Sequence, residues 1–460
     1  MNMCRRLWTG ICWAGLLVSL AFPGQVEAAG LHCVFAHYMV CFATYGATID
    51  AYKHEIQDAQ AAGIDGFALN VGAWSGPETY YKSRVELIYD AAEQLGTNFK
   101  LFFSIELTNT NDIVDMLSTY GPRTNSLLSE GKVVLSTFGQ NALDWQGSVF
   151  TPLRAKGIQL LFVPFFWPNP VTELPDYQGA VGILNTYSNI LDGLFLFGAA
   201  GLPYQLAQCN SNYTKAVHAA GKIFMASYTP NYWGCLQTNA GRRYYESDGG
   251  EGTILQWNAI IANQPDWVEI VTWNDFIEST YSSPVSDPGV YSSGLQSPQR
   301  YCHAGYLELA KHYISWYKTG QEPAIPGDAL FYYYRTHPMN AVASNTNDVP
   351  VTWQFGDIAD VIYNTVFLTA PAQLVISSGG NLSTNTMASG IQSLRTPFAA
   401  GPQQFVISRN GVPVIAAQGP DILSQIQVYD FFPATGFAYG TQVKPSPPSP
   451  PQNLSVVPGP

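Results

Sequence analysis

Between His32 and Gly320 the chain alternates short apolar runs with amphipathic stretches, and this alternation limits what it can fold into more than any single motif does. Eight runs have the length and the β-branched or aromatic content of strands: 33–40, 64–70, 100–106, 133–138, 159–167, 193–198, 222–228 and 267–274. Helical spacing of apolar residues recurs between most of them, near 50–62, 82–95, 111–119, 141–156, 207–220 and 252–263, and closes the series over 302–318. Parallel strands need a long crossover, usually a helix, so a run of such units builds a parallel sheet with helices on its faces. Eight of them predict an α/β fold of the (β/α)8 TIM type over residues 29–327. A doubly wound open sheet fits the same pattern and is the structural alternative.

After Asp328 the helical period stops. Runs at 361–368, 373–377, 404–408 and 412–416 are spaced by Gly, Asn and Ser turns, which predicts a β-sandwich domain over 328–443. PSPPSPP then marks 444–460 as a stiff proline-rich linker or tail. At the other end Arg5 and Arg6, the apolar stretch from Leu7 to Phe22 and the small residues around Ala28 form a secretory signal peptide over 1–28. The chain is therefore expected to be secreted, into the medium or a periplasm. Export permits disulfides, and Cys209 with Cys235 is the expected pair, since both lie in loop-like sequence.

Charge narrows the partners. Against 33 Asp and Glu stand 21 Lys and Arg, and charged residues make up only 12% of the chain. Nothing resembles the basic stripe that phosphate backbones require, which excludes nucleic acid and argues against an anionic membrane surface. Beyond the signal no apolar run is long enough to span a bilayer. No Cys-x-x-Cys and no histidine pair at helical spacing occurs, so zinc is not expected, and there is neither a P-loop nor a nucleophile elbow.

In a barrel the reactive groups come from the C-terminal ends of the strands and the loops beyond them. Those ends offer His37 and Tyr38, Asn70 and Trp74, Glu106, Trp167, Tyr232 and Trp233, and then Trp273, Asn274, Asp275 and Glu278. Carboxylates, amides and aromatics dominate, which points to hydrolysis of a sugar by paired acids: one protonates a leaving oxygen, the other activates water. Asp275 and Glu278 are the leading pair, although two acids in a loop are also what a solvated surface or a helix cap looks like. Asp65, early in the second strand, suits a structural or a functional role equally. The aromatic side chains could stack on sugar rings or serve as loop packing.

Several of these segments, in this order, resemble glycoside hydrolase family 71, the α-1,3-glucanases or mutanases. The likeness is carried by VFAHYMV (34–40), AAGIDGFALNVG (61–72), KLFFSIE (100–106), EIVTWNDFIEST (269–280), HAGYLELAKHYISWYKTGQEP (303–323), ALFYYYRTHP (329–338) and VFLTAPAQLVISSGG, and it covers residues 32 to 440. The resemblance implies a (β/α)8 barrel with a β-sandwich, secreted and acting on α-1,3-glucan by inversion without a cofactor. It implies Asp275 as base, Glu278 as acid and Asp65 as a third important acid. Ile277, Thr280, Glu106 and the stretch LFLFGAAGLP depart from the family pattern as we expect it, and they bear on which glycan is cleaved. The competing readings are a polysaccharide-binding protein that has lost its chemistry and a hydrolase of another α-glycan, similar to an endo-α-mannosidase.

Overall fold

Each of the eight apolar runs forms a strand: β1 (Cys33–Met39), β2 (Gly66–Val71), β3 (Lys100–Ile105), β4 (Lys132–Thr137), β5 (Leu160–Phe162), β6 (Gly193–Phe195), β7 (Ile223–Tyr228) and β8 (Trp267–Ile270). A computed structural model describes residues 32–235, 242–285, 300–348, 350–351 and 353–440; the expected signal segment and proline-rich tail lie outside these. The eight strands run parallel in one curled sheet, in the order β6–β7–β8–β1–β2–β3–β4–β5. This sequential order differs from the reversed order of a doubly wound sheet. At the two edges the backbone still meets: Asp192 N donates to Phe162 O at 3.0 Å and Phe195 N to Pro164 O at 2.9 Å. β5 is short because Pro164, two residues beyond it, has no N–H with which to continue the ladder.

Helices α1 (Ile49–Ala61), α2 (Tyr80–Leu95), α3 (Thr110–Tyr120), α4 (Thr151–Ala155), α5 (Tyr177–Thr186), α6 (Pro203–Ala219), α7 (Gly249–Asn263) and α8 (Ala304–Thr319) cover the sheet. The local chemistry is legible: Thr48 caps α1 through its side chain, and in α1 the buried Tyr52, Ile56 and Ala59 repeat at helical spacing. Two helices differ from expectation. The stretch 141–156 is a π-helical turn over Trp145–Phe150 followed by only five α-helical residues, and α5, capped by Asp176, was not anticipated. Gly179, Gly182 and Asn185 interrupt its apolar pattern.

Strand residues alternate between two cores. Phe35, Ala68, Phe102, Val134, Leu161, Phe195, Met225 and Trp267 face inward and fill the concave side of the curled sheet. Val34, Ala36, Phe67, Leu69, Phe103, Leu135, Phe224 and Val268 face outward against the helices. Each fully buried large side chain contributes about 1.5–3 kcal/mol relative to exposure.

The C-terminal part is two four-stranded antiparallel sheets. Strands β9 (Ala329–Arg335), β10 (Val361–Leu368), β13 (Gly390–Pro397) and β16 (Pro433–Tyr439) form one, in the order β13–β10–β9–β16; β11 (Ala372–Ser378), β12 (Asn381–Met387), β14 (Gly401–Arg409) and β15 (Val412–Ile422) form the other, in the order β12–β11–β14–β15. Leu330, Ile362, Val366, Leu374, Ile376, Phe405 and Ile407 share one apolar cluster between the sheets. The first sheet also packs on the helices: Phe331, Tyr333, Tyr363 and Phe367 belong to the same core as α7 and α8. Gly250 permits the approach, since a Cβ there would lie 2.2 Å from Thr365 Oγ1.

The expected Cys209–Cys235 disulfide does not form. All five cysteines of the described residues are free, and these two are committed to different places: Cys209 faces the helix-covered core from α6, whereas Cys235 lies in a separate aromatic cluster and donates to Ile277 O.

Candidate active site

Asp275 and Glu278 sit on the loop that follows β8, and that loop is pinned from several sides. Trp273 N donates to His37 O at 2.7 Å. Asn274 accepts from Met39 N at 2.7 Å and donates to Phe42 O at 2.7 Å, which staples the loop to the end of β1. Thr272 Oγ1 accepts from Asp275 N at 2.8 Å and pairs with the Thr280 hydroxyl at 3.0 Å, so the two ends of the turn close on each other. Within the turn Asp275 Oδ1 accepts from the N–H groups of Ile277 and Glu278 at 3.0 and 3.1 Å. Trp233 N donates to Glu278 O at 2.9 Å, bringing the loop alongside the short strand Tyr232–Trp233.

That strand pairs antiparallel with Arg243–Tyr245, and the pairing places three side chains in line with Glu278. Tyr232 Oη donates to Glu278 Oε1 at 3.1 Å, Arg243 Nη2 donates to Tyr232 Oη at 2.9 Å, and Arg243 Nη1 meets Glu173 Oε1 and Oε2 at 2.9 and 3.1 Å. Burial pushes both carboxyls of the pair above the ordinary carboxylate range. Glu278 is driven further, because the Asp275 charge adds to the effect of burial while Tyr232 and Arg243 only partly offset it. Asp275 rises too, held back by its two backbone N–H donors and by the neighbouring His37, with Glu106 opposing them. Two buried carboxyls raised above their ordinary range on a single loop have the chemistry that proton donation and water activation require.

Below the loop the inner face of the sheet turns polar. His37 Nδ1 and Glu269 Oε1 are 2.6 Å apart and both side chains are fully buried, with Phe197 edge-on to the imidazole at 5.0 Å. Asn70, Ser104 and Ser136 continue this layer across β2, β3 and β4. Asn70 Oδ1, Ser104 Oγ, Ser136 Oγ and Glu269 Oε2 find no protein partner among the described residues, although all four are buried. Trp167 lies at the mouth, partly buried, edge-on to Phe138 and Phe165. Among the described residues no group of three or more His, Cys, Asp and Glu side chains could hold a metal ion.

The sequence-based site is thus gathered in part: Asp275, Glu278, Tyr232, His37, Asn70, Glu106 and Trp167 stand at the strand exits or on the inner face beneath them. Six other expected residues lie away from this group or are engaged by the protein itself. Asp65 lies at the opposite end of the sheet, where Lys318 Nζ stands 2.6 Å from Oδ1 and Val34 N donates to Oδ2 at 2.9 Å. Tyr38 and Trp273 point outward, not into a cleft, and both donate at 3.0 Å to the buried carboxylate of Glu55 on α1. Trp74 is buried against Tyr120 with its indole N–H on Asp115 at 2.9 Å. Trp233 is fully buried beside Phe431 and Phe432, and Asn274 is spent on the backbone of β1's end. Arg243, Glu173 and Glu269 were missed. Glu269 was findable, since it shares inward parity with Trp267, whereas Glu173 comes from a proline-flanked loop without any pattern.

Known proteins complete the description. The family model "Glycosyl hydrolase family 71" matches residues 31–446. A glucan endo-1,3-alpha-glucosidase of Schizosaccharomyces pombe is 30% identical over 427 residues, 88% of this chain and 94% of the relative. A mutanase of Penicillium rubens is 27% identical, with 86% of this chain and 87% of the relative covered. Among solved structures an endo-alpha-mannosidase from Bacteroides aligns with a TM-score of 0.48 at 15% identity, covering 62% of this chain and 97% of that one. With a family model spanning the curled sheet, the loop of Asp275 and Glu278 and both C-terminal sheets, this chain belongs to glycosyl hydrolase family 71.

Proposed function

We propose that this protein hydrolyses α-1,3-glucan within the chain and with inversion, Asp275 acting as base and Glu278 as acid. The observation that carries the reading is a pair of buried carboxyls, both raised by burial, on one pinned loop. Glu278, the more strongly raised, holds a proton for the glycosidic oxygen, and Asp275, the more readily ionised, takes one from water. The bond from the anomeric carbon to the leaving oxygen breaks with its electron pair on that oxygen, and the water oxygen bonds to the opposite face. The substrate is inferred from relatives named as a glucan endo-1,3-alpha-glucosidase and a mutanase. His37, Asn70, Glu106, Trp167 and Tyr232 would line the cleft, and no cofactor enters any step. We take the curled sheet as a closed (β/α)8 barrel over 29–327, followed by a β-sandwich over 328–443, in a chain exported by residues 1–28. No helix among the described residues is long and apolar enough to cross a membrane.

Insoluble α-1,3-glucan should release reducing ends whose first-formed anomer, read by NMR, is β. Asp275→Asn and Glu278→Gln should each lower kcat by about 10²–10⁴-fold. Glucan retained without any sugar released across the pH range would instead make this a binding protein, and faster cleavage of an α-mannan would overturn the substrate.

A further inference from the structure

Glu278 ends a hydrogen-bonded line that starts near the surface with the Glu173 carboxylate and passes through the Arg243 guanidinium and the Tyr232 hydroxyl. The chemistry of the members gives this line a direction. A guanidinium has five N–H donors and no acceptor, so the Tyr232 oxygen accepts from Arg243 and its own hydrogen is directed at Glu278 Oε1. Glu173, gripping Nη1 with both oxygens, fixes the plane in which Nη2 points. The Arg243 guanidinium also lies 5.4 Å over the Tyr232 ring, so the phenol is held from two sides.

We propose that Tyr232 and Arg243 are positioning residues for the acidic proton of Glu278. With Oε1 already an acceptor, the hydrogen of the neutral acid stands on Oε2. When that Oε2–H bond breaks and the proton passes to the glycosidic oxygen, the charge developing on the carboxylate is met by a hydroxyl that a cation has already polarised. Tyr232 and Arg243 then do two things at once: they aim the proton, and they make Glu278 a stronger acid than burial alone would leave it, with the Glu173 charge pulling the other way. This inference rests on the reading of Glu278 as the acid, and the test separates the two.

The test compares two substrates on one preparation: an α-1,3-linked glucan oligosaccharide, whose leaving oxygen needs a proton, and the α-fluoride of the same sugar, whose leaving group needs little help. The ratio of the two rates does not depend on how much of a variant is folded. Tyr232→Phe should lower kcat on the oligosaccharide by about 10–100-fold, a fraction of a general acid's full contribution, and change the fluoride rate by less than about twofold. Its descending pH–rate limb should move to higher pH, because a donor that held Glu278 down is gone. Arg243→Gln should behave like Tyr232→Phe, and Arg243→Lys, which keeps a cation, should recover part of the loss. If Glu278→Gln spares the fluoride while Tyr232→Phe slows both substrates alike with an unmoved limb, the line is only packing and the inference falls. If Glu278→Gln itself is as slow on the fluoride as on the oligosaccharide, the acid is elsewhere and both readings fall together.

Discussion

Asp65 and Asp275 are both buried aspartates beside strands of one parallel sheet, at its opposite ends, and their surroundings differ in kind. At the N-terminal end each oxygen of Asp65 has its own donor, an ammonium on Oδ1 and a backbone N–H on Oδ2. At the C-terminal end Asp275 places two backbone donors on Oδ1 and keeps Oδ2 without a hydrogen bond among the described residues. A carboxylate whose two oxygens are both engaged locks neighbouring elements together, here β1, β2 and α8. One with an idle oxygen beside a second raised acid has capacity left for a substrate or a water. Burial alone therefore says little about role, since it raises both groups; the division of donors between the oxygens says more.

The largest effect expected from this contrast is on stability. Asp65→Asn or Lys318→Met leaves one member of a nearly inaccessible ion pair without its counter-charge, and such breaks cost about 3–5 kcal/mol. Asp275→Asn and Glu278→Gln replace ionisable groups whose charged forms burial disfavours, and they should cost less than about 1 kcal/mol or stabilise. Urea unfolding followed by tryptophan fluorescence measures all four. The contrast also reverses in activity: folded Asp65→Asn should keep kcat within about twofold of the parent. Equal stability losses at the two ends, or a collapse of kcat in folded Asp65→Asn, would break the distinction.

Glu55 sharpens the comparison because the two side chains that donate to it, Tyr38 Oη and Trp273 Nε1, are both neutral. Burial pushes it up to about 7, above its ordinary value near 4.5. Between those values the native state holds a proton that the unfolded chain has released, so stability falls as pH rises through this window. The contribution is complete below about pH 4.5 and is lost above pH 7, a change of about 3 kcal/mol from this group. Glu55→Gln, titrated by denaturant from pH 4.5 to 8, should flatten that slope. An unchanged slope would mean that neutral donors suffice to keep a buried carboxylate ionised here.

Much of the scaffold was legible in the sequence, and where the structure places expected site residues elsewhere, a rule available in the sequence accounts for several of them. Period-two alternation fixes which strand residues face inward, so His37 and Tyr38, being adjacent, cannot both face the concave side; the inward parity of His37 and Glu269 puts Tyr38 among the helices. Asp65 was drawn into the site by its motif, although its place just before β2 sets it at the far end. The loop residues are a different matter. Trp74, Trp167 and Trp233 all follow strand ends in sequence, and nothing in their neighbours tells which one turns toward solvent, because that depends on where Asp115, Phe138 and Phe431 are brought by distant chain.

Those tryptophans give the smallest expected effect and the finest test of the same contrast, between side chains fully occupied by protein and side chains with a surface to spare. Trp74 is nearly inaccessible and bonds Asp115 at 2.9 Å, whereas Trp167 leaves part of its ring uncovered at the mouth. Loss of one stacked aromatic is worth about 0.5–1.5 kcal/mol, so Trp167→Ala should raise KM for a glucan oligosaccharide by about 2–10-fold with kcat within twofold. Trp74→Phe keeps the apolar ring and loses only the indole donor. It should leave KM unchanged and cost about 0.5–1.5 kcal/mol of stability. Steady-state kinetics beside thermal unfolding of the two variants decides it: a raised KM in Trp74→Phe, or none in Trp167→Ala, would mean that the substrate approaches across α2 and α3 and not over the strand ends.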